Sequence, residues 1–445
     1  MALPARRAGR QAQVAGLLVT VALGGCANLA EPPGGPPDST PPHIVLVRPE
    51  SGAVVPAWKG DVVIQFDEVI DEMGGGGGGG SASGGVAGIG RQIVLSPVAG
   101  AVQASWHRRS ISVKPSEGWK PGRVYHLEIL PGITDLRRNV TKQGAMVIFS
   151  TGPALPHAAI SGYALQWVEQ HAIARAVIRA ARLPDTVAYV TFADSTGAFH
   201  LTDVPSGRYR VTAIQDQNGN RQLDAREAFD SGTVTVDSTA SIVLWAFPHD
   251  TTGPKLRTVE PIDSTALRLT FSQPLDPHRM LDTTNVRLFA LPDTTPLALA
   301  SVWNAAHYDS MQARARAITD SLRRAKDTTA HRDTTARPGA ASPVAAAQRA
   351  PAAPGDTAPG RADTSHVRQL LQQRPVPIDH FVAVAAKPLA PGHKFLVRVR
   401  GAVNLNGAAA DGQTVFEVPV PKPAPPGRDT ARVRPAPAPS PPRPP

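Results

Sequence analysis

The twelve residues 216–227 carry side-chain oxygens at positions one, three, five, nine and twelve: Asp216, Asn218, Asn220, Asp224 and Glu227. Gln222 fills position seven, where a backbone carbonyl serves, and apolar Leu223 fills position eight. These are the ligand slots of an EF-hand loop, which wraps a hard cation such as calcium in oxygens and closes with a bidentate Glu. Position six departs from that pattern. Arg221 stands where the loop takes glycine to turn sharply, although Gly219 is close by. Arg221 and Arg226 also reduce the local negative charge, so any calcium affinity falls in the weak range of extracellular modules. A plain polar hairpin turned at Asn218-Gly219 uses the same residues, and both readings stay open. Calcium is the one cofactor the sequence suggests.

A second residue with chemistry is Cys26, the only cysteine in the chain. It follows Leu23-Gly24-Gly25, an apolar run over residues 14–23, and a start carrying Arg6, Arg7 and Arg10. Basic, apolar and small residues in that order make residues 1–25 a secretory signal peptide. The cysteine after the small residues resembles the lipobox of bacterial lipoproteins, which implies acylation of the Cys26 thiol. A lone cysteine in an exported chain has no internal disulfide partner, and acylation removes the need for one. The apolar run is too short to span a bilayer, and no later run of that kind reaches about eighteen residues. The membrane is therefore reached through lipid, with Pro/Gly-rich residues 26–42 as a spacer.

Other combinations point away from catalysis. The histidines are scattered, and neither a zinc-protease helix motif, a nucleophile elbow nor a Walker lysine occurs. The glycines from Gly74 satisfy a dinucleotide fingerprint only trivially, because a strand follows them instead of a helix. Asp67-Glu68 and Asp71-Glu72 fall at a strand end, the usual place of a solvated turn. His107-Arg108-Arg109 and Arg137-Arg138 read as surface charge. Trp106, Trp119, Trp167, Trp245 and Trp303 are spread widely and read as core or rim residues, with sugar stacking as the rival use. Formal charge is +10, and removing the three leader arginines leaves +7 (10 − 3). Much of that excess sits in Pro/Ala-rich stretches without interleaved aromatics, so nucleic acid is not an expected partner.

The elements that must hold the loop are short strands with period-two alternation, broken by Pro, Gly and Asx turns. Such runs fall at 43–47, 61–66, 92–95, 110–113, 124–129 and 145–149, then again through 160–244. Aromatics are scarce and Pro and Gly abundant, so several small modules fit better than one large core. The expected layout is a sandwich at 43–152 with a glycine-rich loop at 74–90, a second at 158–247, and a third at 253–420. The third is interrupted by an Ala/Arg/Asp/Thr/Pro segment, 305–374, expected to be disordered apart from a helix near 313–326. Residues 421–445 form a Pro-rich disordered tail. An internal repeat links the outer modules: Trp119-Lys120-Pro121-Gly122 with its following strand parallels Leu389-Ala390-Pro391-Gly392 with its own.

Gly25-Cys26-Ala27, the Pro33-to-Pro42 spacer, Phe66-Asp67-Glu68, Asp135 to Asn139, and Phe149-Ser150-Thr151-Gly152 resemble lipoproteins with SbsA-like, bacterial Ig-like domains. Gly197-Ala198-Phe199, Gly207-Arg208-Tyr209 and the 216–227 loop are similar to carboxypeptidase-regulatory or Cna-B-type sandwiches, and the loop resembles calcium loops of surface-protein B-type repeats. Ser272-Gln273 in the third module replaces the Asp-Glu pair of the first. The resemblance implies an all-β chain of tandem Ig-like and transthyretin-like sandwiches with disordered insertions and tail, and it brings no catalytic residues. The expectation is a non-enzymatic outer-membrane lipoprotein, lipid-anchored on either face, acting as scaffold or binding stalk. Ala27 after Cys26, where Asp would hold a lipoprotein at the inner membrane of some bacteria, favours the outer one. Its partner would be another envelope protein or a glycan. The rival expectation is a glycan- or peptidoglycan-binding lipoprotein, helped by calcium.

Overall fold

Short alternating runs give a chain one economical way to bury apolar surface, which is to stack small sheets face to face. The computed structural model describes residues 38–72, 88–330 and 365–420, and these form β-sandwiches in succession. Cys26 with its leader, most of the glycine run, the middle of the long insertion and the tail lie outside the described residues.

The first sandwich has β1 (Ile44–Arg48), β2 (Val62–Phe66), β3 (Ile93–Ser96), β4 (Val102–His107), β5 (Ser110–Pro115), β6 (Val124–Ile129) and β7 (Ala145–Ser150). A four-stranded sheet ordered β1-β2-β5-β4 faces a three-stranded sheet ordered β3-β6-β7. Ile64, Ile111, Leu127 and Phe149 meet between them. Each such side chain removed from water contributes about 2 kcal/mol. Residues 88–90 of the glycine-rich stretch are not loose as expected. They begin a 3-10 turn, Gly88–Gln92, because Ile89 drops into this core.

The central sandwich comprises β8 (Ala158–Gln166), β9 (His171–Ala172), β10 (Val177–Arg182), β11 (Ala188–Phe192), β12 (Ala198–Val204), β13 (Gly207–Ile214), β14 (Ala228–Val236) and β15 (Thr239–Pro248). Its path runs β11-β10-β13-β14-β15-β8-β12 and folds over a core that includes Ile160, Phe199, Tyr209, Val211 and Leu244. The first and last strands, β8 and β15, lie side by side and parallel, paired from Ala159↔Thr239 to Gln166↔Ala246.

The third sandwich comprises β16 (Leu256–Pro261), β17 (Ala266–Leu275), β18 (Val286–Ala290), β19 (Thr295–Leu297), β20 (Leu299–Asn304), β21 (Ile378–Ala385), β22 (Lys394–Val403) and β23 (Ala409–Glu417). Its sheets, β16-β17-β21-β20 and β19-β18-β22-β23, repeat the strand order of the first module with β19 added. The insertion between β20 and β21 differs from the expected disorder at both ends. Helix α1 occupies Ala305–Ala330, longer than the expected helix, and α2 occupies Ser365–Leu371. Each has an apolar anchor that local composition does not advertise. Tyr308 of α1 packs with Ala266 and Val382, whereas Val367 and Leu370 of α2 pack with Trp167 and Trp245 of the central module.

Candidate functional site

The 216–227 loop connects β13 to β14, which are paired along their length, so the loop caps the end of a rigid hairpin. Its oxygens are gathered by the loop's own N–H groups. Asp216 accepts from the amides of Gly219 (2.7 Å) and Arg221 (2.8 Å). Asp224 Oδ2 accepts from the side-chain amides of Asn218 (2.6 Å) and Asn220 (2.9 Å). The carboxylate of Glu227 is buried and accepts from the amides of Gln217 (2.9 Å) and Asp224 (3.1 Å). Gln222 donates its own amide to Asn220 Oδ1, with its residue exposed, and Leu223 is exposed as well. Arg221 at position six holds φ at 61°, the left-handed turn for which such loops use glycine. The sharp turn is present without the glycine.

The side chain of Arg221 leaves the loop and reaches the first module. Its Nη1 donates to the carbonyl of Ile93 at 3.1 Å, and its Nη2 to that of Arg91. This is one bolt of a junction between the first two modules. The outer face of the three-stranded sheet of the first sandwich meets β11, the edge strand of the central one, where the Val190 amide donates to Ser96 Oγ at 3.0 Å. Covering an edge in this way satisfies a backbone donor that would otherwise invite another chain. His126 sits in the same contact at 1% exposure, its ring 4.9 Å from that of Tyr189, with neither ring nitrogen hydrogen-bonded. Burial pushes its imidazole down to about 4, with Asp203 opposing. Two residues along β6, Glu128 faces Thr191, and burial lifts its carboxyl to about 7 against the opposing pull of Arg221 and Arg175. Burial disfavours the charged form of each group.

A cluster not singled out from the sequence lies in the turns that follow β2 and β6 of the first module. Carboxylate oxygens of Asp38, Glu68 and Asp135 come within 4.8 Å of one another. Burial first, then the charges of Asp135, Asp38 and Asp67, raises the Glu68 pKa. Asp135 is buried and organises the turn that follows it, accepting from the amides of Arg137 (2.8 Å) and Asn139 (2.7 Å). The third module carries the same turn built on Asn404, which accepts from the amides of Asn406 (3.0 Å) and Ala408 (2.9 Å). The isolated bridges Ile70↔Asp135 and Leu275↔Asn404 fix the correspondence, which puts Gln273 where Glu68 is. Arg138 at φ 69° takes the place of Gly407 at φ 81°. In the third module Asn404 Nδ2 donates to the carbonyls of Asp250 (2.9 Å) and Thr252 (3.0 Å) and to Gln273 Oε1 (3.2 Å). Amides thus close in one copy a place where the other copy collects three acids.

The tryptophans divide between cores and junctions. Trp119 packs edge-on to Tyr125 and Phe149, and Trp106 lies against the same core while donating to the Ile70 carbonyl. Trp167 and Trp245 are covered by α2 and by Arg374, whose guanidinium lies 4.2 Å and 5.5 Å from their rings. Trp167 also donates to the Pro375 carbonyl at 3.0 Å, which straps the third module to the second. Trp303 alone among the five candidates is exposed, beside His307.

These features define an all-β chain of tandem sandwiches joined by packed junctions. Residues 38–151 match the family model Big_5, a bacterial Ig-like domain. No curated protein matches the chain. Distant likenesses occur among solved structures. The N-terminal part of the bacterial S-layer protein SbsC is 14% identical, with 38% of this chain and 25% of that one covered and a TM-score of 0.19. A putative carbohydrate binding protein from Bacteroides uniformis is 11% identical, with 59% and 100% covered and a TM-score of 0.16. BcpA, the major pilin subunit of Bacillus cereus, is 10% identical, with 47% and 71% covered and a TM-score of 0.16. The chain thus spans a quarter of the S-layer fragment, and likenesses this remote say nothing of function. Among the described residues no helix is long and apolar enough to cross a membrane.

Proposed function

We propose that this chain is a non-enzymatic envelope lipoprotein, anchored at the outer membrane through acylated Cys26, whose sandwiches form a scaffold or stalk. The observation that carries the scaffold reading is where the large aromatic side chains go. A glycan binder displays aromatic faces together on one surface. Here Trp106 and Trp119 serve the first core, and Trp167 and Trp245 are spent under the strap that ties two modules together. Packed junctions transmit position and load along the chain, which is what a stalk needs. The 216–227 loop adds a weak calcium site in this reading, with Asp216, Asn218, Asn220, Asp224 and Glu227 as side-chain ligands and Gln222 offering its carbonyl. Its tie to the first module through Arg221 makes it a junction element.

The anchor is tested in a bacterial host by feeding a clickable fatty acid and comparing the natural chain with Cys26→Ser. The expected result is label on the natural chain, sedimenting with outer membranes, and an unlabelled Cys26→Ser chain. Label that survives the substitution excludes Cys26 as the acylated residue. The scaffold reading is tested separately on a glycan and peptidoglycan-fragment array. Saturable binding abolished by Trp303→Ala would replace it with the recognition reading.

A further inference from the structure

Helix α1 begins on the third module and then leaves it. Tyr308 and Met311 pack against Ala266, Val382 and Val384 at its start. The same stripe continues with spacings of three and four through Ala315, Ile318 and Leu322, the a and d positions of a coiled-coil seam. Nothing in the described structure covers that continuation: Ile318 is 61% exposed and Leu322 65%. A helix of 26 residues is about 39 Å long, so more than half of it stands clear of the sheet that roots it. In proteins most of a helix's stability comes from packing its apolar face. Ending an apolar seam in solvent is therefore a feature in want of a partner.

Charge decides which partner. Between residues 312 and 323 the helix carries Arg314, Arg316 and Arg323 against Asp320 alone, a net charge of +2 (3 − 1). At about 100° per residue, Asp320 falls almost opposite the seam, whereas Arg314 borders it at the g position. The acid nearer the root, Asp309, is engaged with Arg268 of its own module at 3.5 Å. A second copy of this helix would lay one cationic segment along another, which disfavours self-pairing. We propose that the projecting part of α1 docks an amphipathic helix of another protein whose apolar seam is flanked by Asp and Glu. This inference stands apart from the lipid anchor and names a contact surface for the scaffold.

The test uses the full chain and two labelled helical peptides with the same Leu-rich a and d positions, one with Glu at e and g, the other with Lys. Fluorescence anisotropy at low salt should show binding of the Glu peptide and none of the Lys peptide, with affinity falling as salt rises. Ile318→Glu and Leu322→Glu, both at exposed positions, should each weaken binding by at least about tenfold, equivalent to 1.4 kcal/mol. Arg314→Glu, the substitution that reverses the charge bordering the seam, should shift the preference toward the Lys peptide. Circular dichroism of each variant confirms that the fold is retained. The inference is overturned by equal binding of the two peptides, by no binding at millimolar peptide, or by binding that Ile318→Glu leaves unchanged. Self-association, or uptake onto phosphatidylglycerol vesicles, that Ile318→Glu abolishes while neither peptide binds would also overturn it, and would identify a second copy or lipid as the occupant.

Discussion

Glu128→Gln should make the junction between the first two modules pH-dependent, although the natural junction is nearly level across the same range. Two buried groups of opposite sign set the balance. The His126 imidazole, ordinarily near 6.5, is held at about 4 in the closed junction. Its folded pKa is depressed, so the closed state loses stability as pH falls from 6.5 toward 4. Glu128, ordinarily near 4.5, is lifted to about 7. Its contribution is fully present below 4.5 and is lost as pH rises toward 7. Each displacement corresponds to roughly 3 kcal/mol between its limits. One loss grows while the other shrinks, and their sum stays within about 1 kcal/mol between pH 4 and 7. Gln at 128 removes the limb that penalises high pH, leaving a junction that strengthens by about 3 kcal/mol from pH 4 to pH 7. His126→Phe leaves the other limb, so that variant weakens over the same span. The assay is urea unfolding of the full chain at several pH values, with β6 and β11 peptides followed by hydrogen exchange at a fixed labelling pH. Parallel pH profiles for the natural chain and Glu128→Gln would show that Glu128 does not offset His126 in the junction.

Further expectations follow from the other clusters. Glu68→Gln, which copies the residue of the third module, should stabilise the first by about 0.5 kcal/mol at neutral pH, a small effect because the site is close to solvent. Because the Glu68 pKa is raised, the gain should vanish near about pH 3, where Glu68 itself is protonated, and a gain that persists there would show that the Glu68 charge is not its source. Glu227→Gln should cost about 2 kcal/mol without calcium by setting an amide against the Gln217 or Asp224 N–H. It should also abolish any rise in melting temperature of the natural chain at millimolar calcium, and a response retained by the variant would exclude Glu227 as a ligand. Gly162→Ala would place a methyl 1.9 Å from the Ile242 carbonyl oxygen and 2.8 Å from Phe199 Cζ. A loss of about 3 kcal/mol in the central module is expected by thermal melting, and a change under about 0.5 kcal/mol would mean that β8 and β15 separate easily.

Strands were legible where one face is apolar throughout, as in β2, whose Val62, Ile64 and Phe66 all point into the core. β4 was not, because Val102 and Trp106 are its only large apolar residues and its faces are half-buried at best. The 216–227 loop reads as a turn between paired strands, yet Arg221 looks from sequence like a fault in a ligand pattern. Its partner carbonyl at Ile93 lies 128 residues away, and no local spacing announces it. The same holds for Asp38, Glu68 and Asp135, which belong to separate turns, and for His126, which reads as the polar half of an alternating strand. The α2 segment failed for a related reason. Its two buried residues, Val367 and Leu370, are too few to suggest order until Trp167 and Trp245 of another module are placed beneath them.

The parallel pairing of β8 with β15 has a mechanical meaning. Tension applied through the chain enters the central module at the start of β8 and leaves at the end of β15, so it drags two adjacent parallel strands in opposite directions along their length. The pairs from Ala159↔Thr239 to Gln166↔Ala246 then resist in shear, all loaded together, where an antiparallel hairpin pulled from its open end would unzip rung by rung. Gly162 lets these strands come close enough for that arrangement, since any larger residue would meet the Ile242 carbonyl. Under load the central module should therefore be the last stretch of that path to yield, and extension should first be taken up at the module junctions on either side.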